Sequence, residues 1–330
     1  MKKAIHAGFA LILALAAPVA PRAQTFSPPY APPRQGAGAT PAQGQIPAQG
    51  PAPDLAFGAY QRGYYMTAFR EAMKRLAANP GDAAAMTLIG EIYRDGYAVR
   101  RDVAEAAHWY RLASGLGDRE AAFALGALLL NGAAGVDKDR AGAKAQFEKA
   151  AAQGQAGALY NLGVMAIEGD GADKPDFAKA ADYFRRAAEA GEDNGAYSYG
   201  VLLREGRGVP LDIEESAHWL KRAADAGIIA GQVEYAIMLF NGVGVEKNEA
   251  AAAKIFLIAA ARNNPIAQNR LAHLYVSGRG VPRDLVEAAT WNRFAKAGGI
   301  DDPELDAATA NLTPEQNERV NQLVRRQASF

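Results

Sequence analysis

The chain has 330 residues, no cysteine, and 36 basic side chains against 36 acidic ones. The missing thiol excludes disulfides, thiolate metal sites, a cysteine nucleophile and a lipid-modified N-terminal cysteine. Balanced charge with no polybasic run gives no electrostatic field that would gather nucleic acid or an anionic membrane surface.

The chain opens "MKKAIHAGFALILALAAPVAPRAQ": two lysines, an apolar run from about Ala7 to Ala20, then small residues and proline. That order fits a secretory signal peptide over residues 1–23, with Ala20 or Ala23 as the last residue removed, while a membrane-spanning helix needs about 20 apolar residues. No Arg-Arg pair precedes the apolar run, so ordinary export is expected, which places the mature chain in the periplasm or outside the cell with no integral membrane segment. Residues 24–53, "QTFSPPYAPPRQGAGATPAQGQIPAQGPAP", are rich in Pro, Gly, Gln and Ala. Such a segment has too little apolar surface to offset its ordering entropy and reads as a disordered tether.

Residues 54–80 hold two helical runs around Gly63, with Phe57, Tyr60, Tyr65, Phe69, Met73 and Leu76 as apolar positions. They predict a short helix-turn-helix unit that begins a stack. From residue 81 to 300 one pattern then recurs six times, its turn glycines at Gly96, Gly132, Gly169, Gly206, Gly242 and Gly278, spaced by 36, 37, 37, 36 and 36 residues. Recurrence at this period marks a solenoid rather than a singular site. Each copy has a front helix, the glycine turn, and a back helix.

Gly90, Gly126, Gly163 and Gly200 stand mid-way along four of the front helices. A glycine there costs about 1 kcal/mol of helix propensity, which implies close backbone approach. The turn glycines are expected in the left-handed conformation. Asp102, Asp139, Asp176, Asp212, Asn248 and Asp284 follow as N-caps of the back helices. Glu105, Glu215 and Glu287, three residues after Asp102, Asp212 and Asp284, complete the capping-box pattern. Seven residues into each back helix stand Trp109, Gln146, Tyr183, Trp219, Ile255 and Trp291. A large ring facing small residues of the next unit is a stacking device, so Trp219→Ala is expected to cost about 3–5 kcal/mol if the ring is buried. Residues 301–330 offer Thr313 as N-cap, Pro314 and Gln316 behind it, and a Val320–Leu323 stripe, the character of a C-terminal capping helix.

The combination of Leu-Gly in the front helix, Gly-x-Gly-Val with Asp, and Trp-Tyr followed by Ala-Ala and Gly resembles the Sel-like repeat family, relatives of the tetratricopeptide repeat. The resemblance implies an all-α, right-handed α-solenoid of about seven helix-turn-helix repeats, closed by the C-terminal helix. It also implies an adaptor that holds other proteins. Exported members bind membrane sensors or assist envelope assembly, so a protein or peptide partner of either kind is expected, with a structural role in the cell wall as the alternative. A hydrolase is the least expected reading, since it belongs to cysteine-rich relatives.

No cofactor or metal is expected. His108 and His218 lie three repeats apart, and Asp170, Asp173 and Asp176 lack the spacing and terminal Glu of a calcium loop. "GRGVP" lacks the strand and the Lys-Ser/Thr of a phosphate loop. The candidate binding surface is a second stripe on the front helices: Phe123, Tyr160, Val164, Tyr197, Val201, Ile237 and Phe240, with Glu91, Arg94, Arg204 and His273 near its ends. By resemblance these line a concave groove suited to a helix or extended peptide. The competing reading is that neighbouring front helices bury the stripe against one another.

Overall fold

The computed structural model describes residues 54–169 and 174–328. The expected signal peptide, the tether, Asp170 and Asp173 lie outside these residues. Among the described residues there are sixteen α-helices and no strand beyond an isolated bridge between Ala133 and Val136. Helices α1 (Leu55–Gln61) and α2 (Tyr65–Ala78) come first. Six front/back pairs follow: α3 (Ala83–Asp95) with α4 (Val103–Gly115), α5 (Arg119–Asn131) with α6 (Arg140–Ala151), and α7 (Ala156–Glu168) with α8 (Phe177–Glu189). Then come α9 (Asp193–Glu205) with α10 (Ile213–Asp225), α11 (Ile229–Asn241) with α12 (Glu249–Ala261), and α13 (Pro265–Ser277) with α14 (Leu285–Ala297). Each helix packs on its chain neighbours, the arrangement of a solenoid.

Helix punctuation follows the sequence closely. Gly96, Gly206, Gly242 and Gly278 end their front helices in the left-handed conformation, as at Gly206 with φ 63° and ψ 32°. In the second and third repeats the loop is one residue longer, and Gly132 and Gly169 keep positive φ but swing ψ to 158° and 175°. The back-helix caps are all formed; Asp102 Oδ1 accepts the Glu105 N–H at 3.0 Å and Asp212 Oδ1 accepts the Glu215 N–H at 2.9 Å. The expected capping boxes at Glu105, Glu215 and Glu287 do not form, because the backbone N–H that each Glu would satisfy is already taken. Asp102, Asp212 and Asp284 donate theirs to the carbonyls of Tyr93, Leu203 and Tyr275 in the preceding front helix, at 2.9–3.0 Å. A genuine box appears instead at Thr313 and Gln316, where each side chain bonds the other residue's N–H.

The mid-helix glycines also serve a different purpose from the one expected. A Cβ built on Gly90 would lie 2.6 Å from the Tyr110 ring, on Gly126 2.8 Å from Phe147, on Gly163 2.6 Å from Phe184, and on Gly200 2.9 Å from Leu220. What approaches is chiefly a side chain of the paired back helix. Tyr110, Phe147, Phe184, Leu220 and Phe256 are accordingly 0–2% exposed. The tryptophan position was therefore misplaced by one residue: Trp109, Tyr183 and Trp219 are half-buried, and only Trp291 is buried. Small alanines such as Ala106, Ala180 and Ala252 surround the rings, so the core is a layer of large knobs in alanine holes.

A second loop glycine couples one repeat to the next. Cβ atoms on Gly208, Gly244 and Gly280 would come within 2.2–2.4 Å of backbone atoms of Phe177, Ile213 and Glu249, the first residues of the preceding back helices. These glycines have φ of 71–75°, so each loop lies directly on the start of the previous back helix. In the first repeat the corresponding residue is Ala98, whose φ is not positive.

At the N-terminal end the buried residues are Ala56, Ala59, Ala68 and Ala72; Tyr60, Phe69 and Leu76 are partly buried, and Met73, expected to be apolar core, is exposed. Arg75 ties this unit to the first repeat, bonding Asp54 at 2.6 Å and Asp82, the N-cap of α3, at 2.8 Å. Downstream of α14 there are two helices where one was expected, α15 (Pro303–Thr309) and α16 (Pro314–Ala328), and both pack on α14. Leu305 and Val320 are their buried anchors.

Candidate partner-binding face

The stripe residues share one face of successive front helices because they stand three before, one after or four after the mid-helix position held by Gly126, Gly163 and Gly200 and, in the fifth repeat, by Ala236. Phe123, Tyr160, Val164, Tyr197, Val201, Ile237 and Phe240 are all half-buried, and Val233, which continues the stripe, is buried. Several of the contacts along it cross to the following unit. The Phe123 ring covers Gly157 of the next repeat, where an added Cβ would be 2.8 Å away, and Tyr160 lies obliquely against Phe184 of its own repeat at 5.6 Å with Ser198 of the next repeat beside its hydroxyl. Arg204 of one repeat pairs with Glu234 of the next, and Arg279 lies 4.1 Å above the Phe240 ring. The stripe is thus in large part an inter-repeat seam with one half-exposed edge. It is aliphatic and aromatic, with its charges already paired.

Glu91 and Arg94 come together in the first repeat, at 2.5 Å, and the group is larger than the sequence suggests. Arg94 also bonds Asp95, Tyr60 donates to Asp95 at 3.3 Å, and the buried Tyr110 hydroxyl donates to Glu91 at 2.7 Å. Burial pushes the Glu91 carboxyl up, against the pull of Arg94 and Tyr110, and pushes the Tyr110 hydroxyl well above its ordinary range. Tyr160 and Tyr197 are raised mainly by burial and then by Glu192 and Glu234 respectively. Both stay protonated donors near neutral pH.

His273 belongs to a different arrangement from the one expected. Its Nε2 lies 2.7 Å from Asp302, the N-cap of α15, which also accepts from Asn269 at 2.8 Å. Burial would raise the Asp302 carboxyl, but these bonds and the Leu305 N–H hold it down to about 2. His273 therefore fastens the C-terminal helices to the sixth repeat. It stands five repeats from Glu91, so the two do not form one site. Among the described residues no three His, Asp or Glu side chains gather as a metal site, and no helix is long and apolar enough to cross a membrane.

Two buried glutamines escaped the sequence reading. Gln232 and Gln268 occupy equivalent positions and donate to the Ala224 and Ala260 carbonyls at the ends of the preceding back helices. Their signal was the same polar residue repeated one period apart inside an apolar run. The Sel1 repeat model matches residues 83–118, 119–155, 156–192, 194–228, 229–264 and 265–299. The chain belongs to the Sel1 repeat family. Sel1 repeat proteins generally act as non-catalytic scaffolds for protein–protein interaction.

The solved structures of Sel1 proteins agree with the fold. A Sel1 repeat protein from Oxalobacter formigenes is 25% identical, with a TM-score of 0.63 over 76% of this chain and all of that one. The protective antigen c5321 of uropathogenic Escherichia coli, which displays the same repeat fold, is also 25% identical, with a TM-score of 0.55 over 83% of this chain and 67% of that one. No curated protein matches the sequence.

Proposed function

We propose that this Sel1 repeat chain is a non-enzymatic adaptor or regulator of the bacterial periplasm that holds a protein or peptide partner along its front-helix stripe. The observation that carries this reading is the half-exposed edge running from Phe123 through Tyr160 and Tyr197 to Ile237, repeated at one residue position after another on a scaffold family built for protein interaction. A continuous apolar edge with tyrosine hydroxyls suits a helix or an extended peptide, which contributes apolar side chains and backbone carbonyls. Export is supported by the lysine-led apolar run of residues 1–23, and a membrane sensor or an envelope-assembly protein are the partners that such a location makes available.

The test is an in-cell crosslinking pull-down with the wild-type chain and with the double variant Tyr160→Ala, Tyr197→Ala, checked by circular dichroism for retained helix. The same comparison with Tyr160→Phe, Tyr197→Phe keeps ring packing and removes only the hydroxyls. Loss of one envelope partner in the folded Ala variant supports the reading. An identical set of partners with both variants overturns it, and the stripe is then packing alone.

A further inference from the structure

The outward faces of the back helices are not alike. Two residues beyond the tryptophan position stand Arg111, Glu148, Arg185, Lys221 and Arg293 in five repeats, and Leu257 in the fifth. Leu257 is 43% exposed and its neighbour Ile258 is 52% exposed. On α8 and α10 the same face is charged and internally neutralised: Arg185 pairs with both Asp182 and Glu189, and Lys221 with Asp225 at 2.6 Å. On α12 it reads Ala250, Lys254, Leu257, Ile258 and Ala261, all exposed, at the i, i+4, i+7, i+8, i+11 spacing of a helix-packing seam. Lys254 is its one ion, with no carboxylate partner among the described residues. The nearest candidate on the helix, Glu249, is engaged by Lys247 and Arg279.

We propose that this face of α12 is a second docking surface, separate from the front-helix stripe, for an acidic amphipathic helix of a partner protein. An exposed aliphatic pair flanked by alanines admits a helix at close range, and the unpaired ammonium of Lys254 selects one with a carboxylate facing it. A second copy of this chain fits poorly. Lys254 is the one charge among Ala250, Lys254, Leu257, Ile258 and Ala261, so pairing two copies through this face brings no carboxylate of the face to either lysine.

The experiment replaces Leu257 by the photocrosslinker p-benzoylphenylalanine in the full chain, irradiates the cells that make it, and sequences the crosslinked peptide. The expected product is one partner segment with apolar residues at i, i+3, i+4 and i+7 and acids beside them. A synthetic copy of that segment then binds the purified chain, and binding weakens by about tenfold or more with Leu257→Arg. Arg already occupies this position in three other repeats, so the variant keeps its fold. As a second check, Lys254→Glu weakens the acidic peptide and binds its Lys-substituted version. Crosslinking to another copy of the chain, to lipid or to a segment without acids overturns the proposal. So do the absence of any crosslink and binding that is unchanged by both variants. The Tyr160/Tyr197 variants leave this crosslink intact, so failure here is distinguishable from failure of the stripe.

Discussion

Gly208→Ala isolates the contact that joins one repeat to the next. The substitution meets two separate penalties. Residue 208 has φ 75°, where an L-residue with a Cβ loses about 1–2 kcal/mol. The new Cβ would also sit 2.2 Å from the Phe177 carbonyl carbon and oxygen and 2.5 Å from the Ala178 nitrogen, which are backbone atoms at the start of α8 and cannot rotate away. Forced overpacking of this kind costs about 1–3 kcal/mol. Gly63→Ala is the matched control, with φ 80° and nothing within 4 Å of its Cβ. Gly63→Ala is therefore expected to lose about 1–2 kcal/mol and Gly208→Ala about 2–5 kcal/mol, the difference being the inter-repeat clash. Urea unfolding followed by circular dichroism measures the totals. Hydrogen exchange locates the loss, which should appear as faster exchange in the first turn of α8. Equal destabilisation by the two variants, with α8 exchange unchanged, would refute the reasoning.

The buried side chain beneath each mid-helix glycine matters more than the half-buried one before it. Phe184→Ala is expected to cost about 3–5 kcal/mol, and Tyr183→Ala clearly less, in paired denaturation curves. A reversed order would show that the stacking ring is the outer one. The fastening of the C-terminal helices should also depend on acidity. The Asp302 carboxyl is depressed to about 2 from 3.8, so its contribution is present above the unfolded value and is lost as pH falls from about 4 toward 2. Asp302→Asn is therefore expected to destabilise at neutral pH and to converge with wild type near pH 2. A constant gap across that range would remove the carboxylate from the account.

The repeat length, the front and back helices, the turn glycines and the Asp caps are legible in the sequence, since each is a local preference written six times. Backbone conformation at Gly206 or Asp212 depends on a few neighbouring residues, so recurrence alone exposes it. The candidate stripe was half legible: periodicity put Tyr160 and Tyr197 on one face, but only the packed structure shows how far Ser198 and Glu234 of the next units cover that face. His273 was read as a groove residue because its partner, Asp302, lies 29 positions away and belongs to a helix that the sequence reading merged into its neighbour.

The sequence by itself determined that this protein is a Sel1-type array of helical hairpins and where each hairpin turns. Tertiary structure decided which side chain fills each hairpin, Phe184 rather than Tyr183 and Leu220 rather than Trp219, and which loop touches which helix. The reason is geometric. Adjacent positions on a helix point about 100° apart, so a shift of one residue moves a ring from core to rim while leaving the sequence pattern almost unchanged. Only the position of the neighbouring helix settles which of the two is buried.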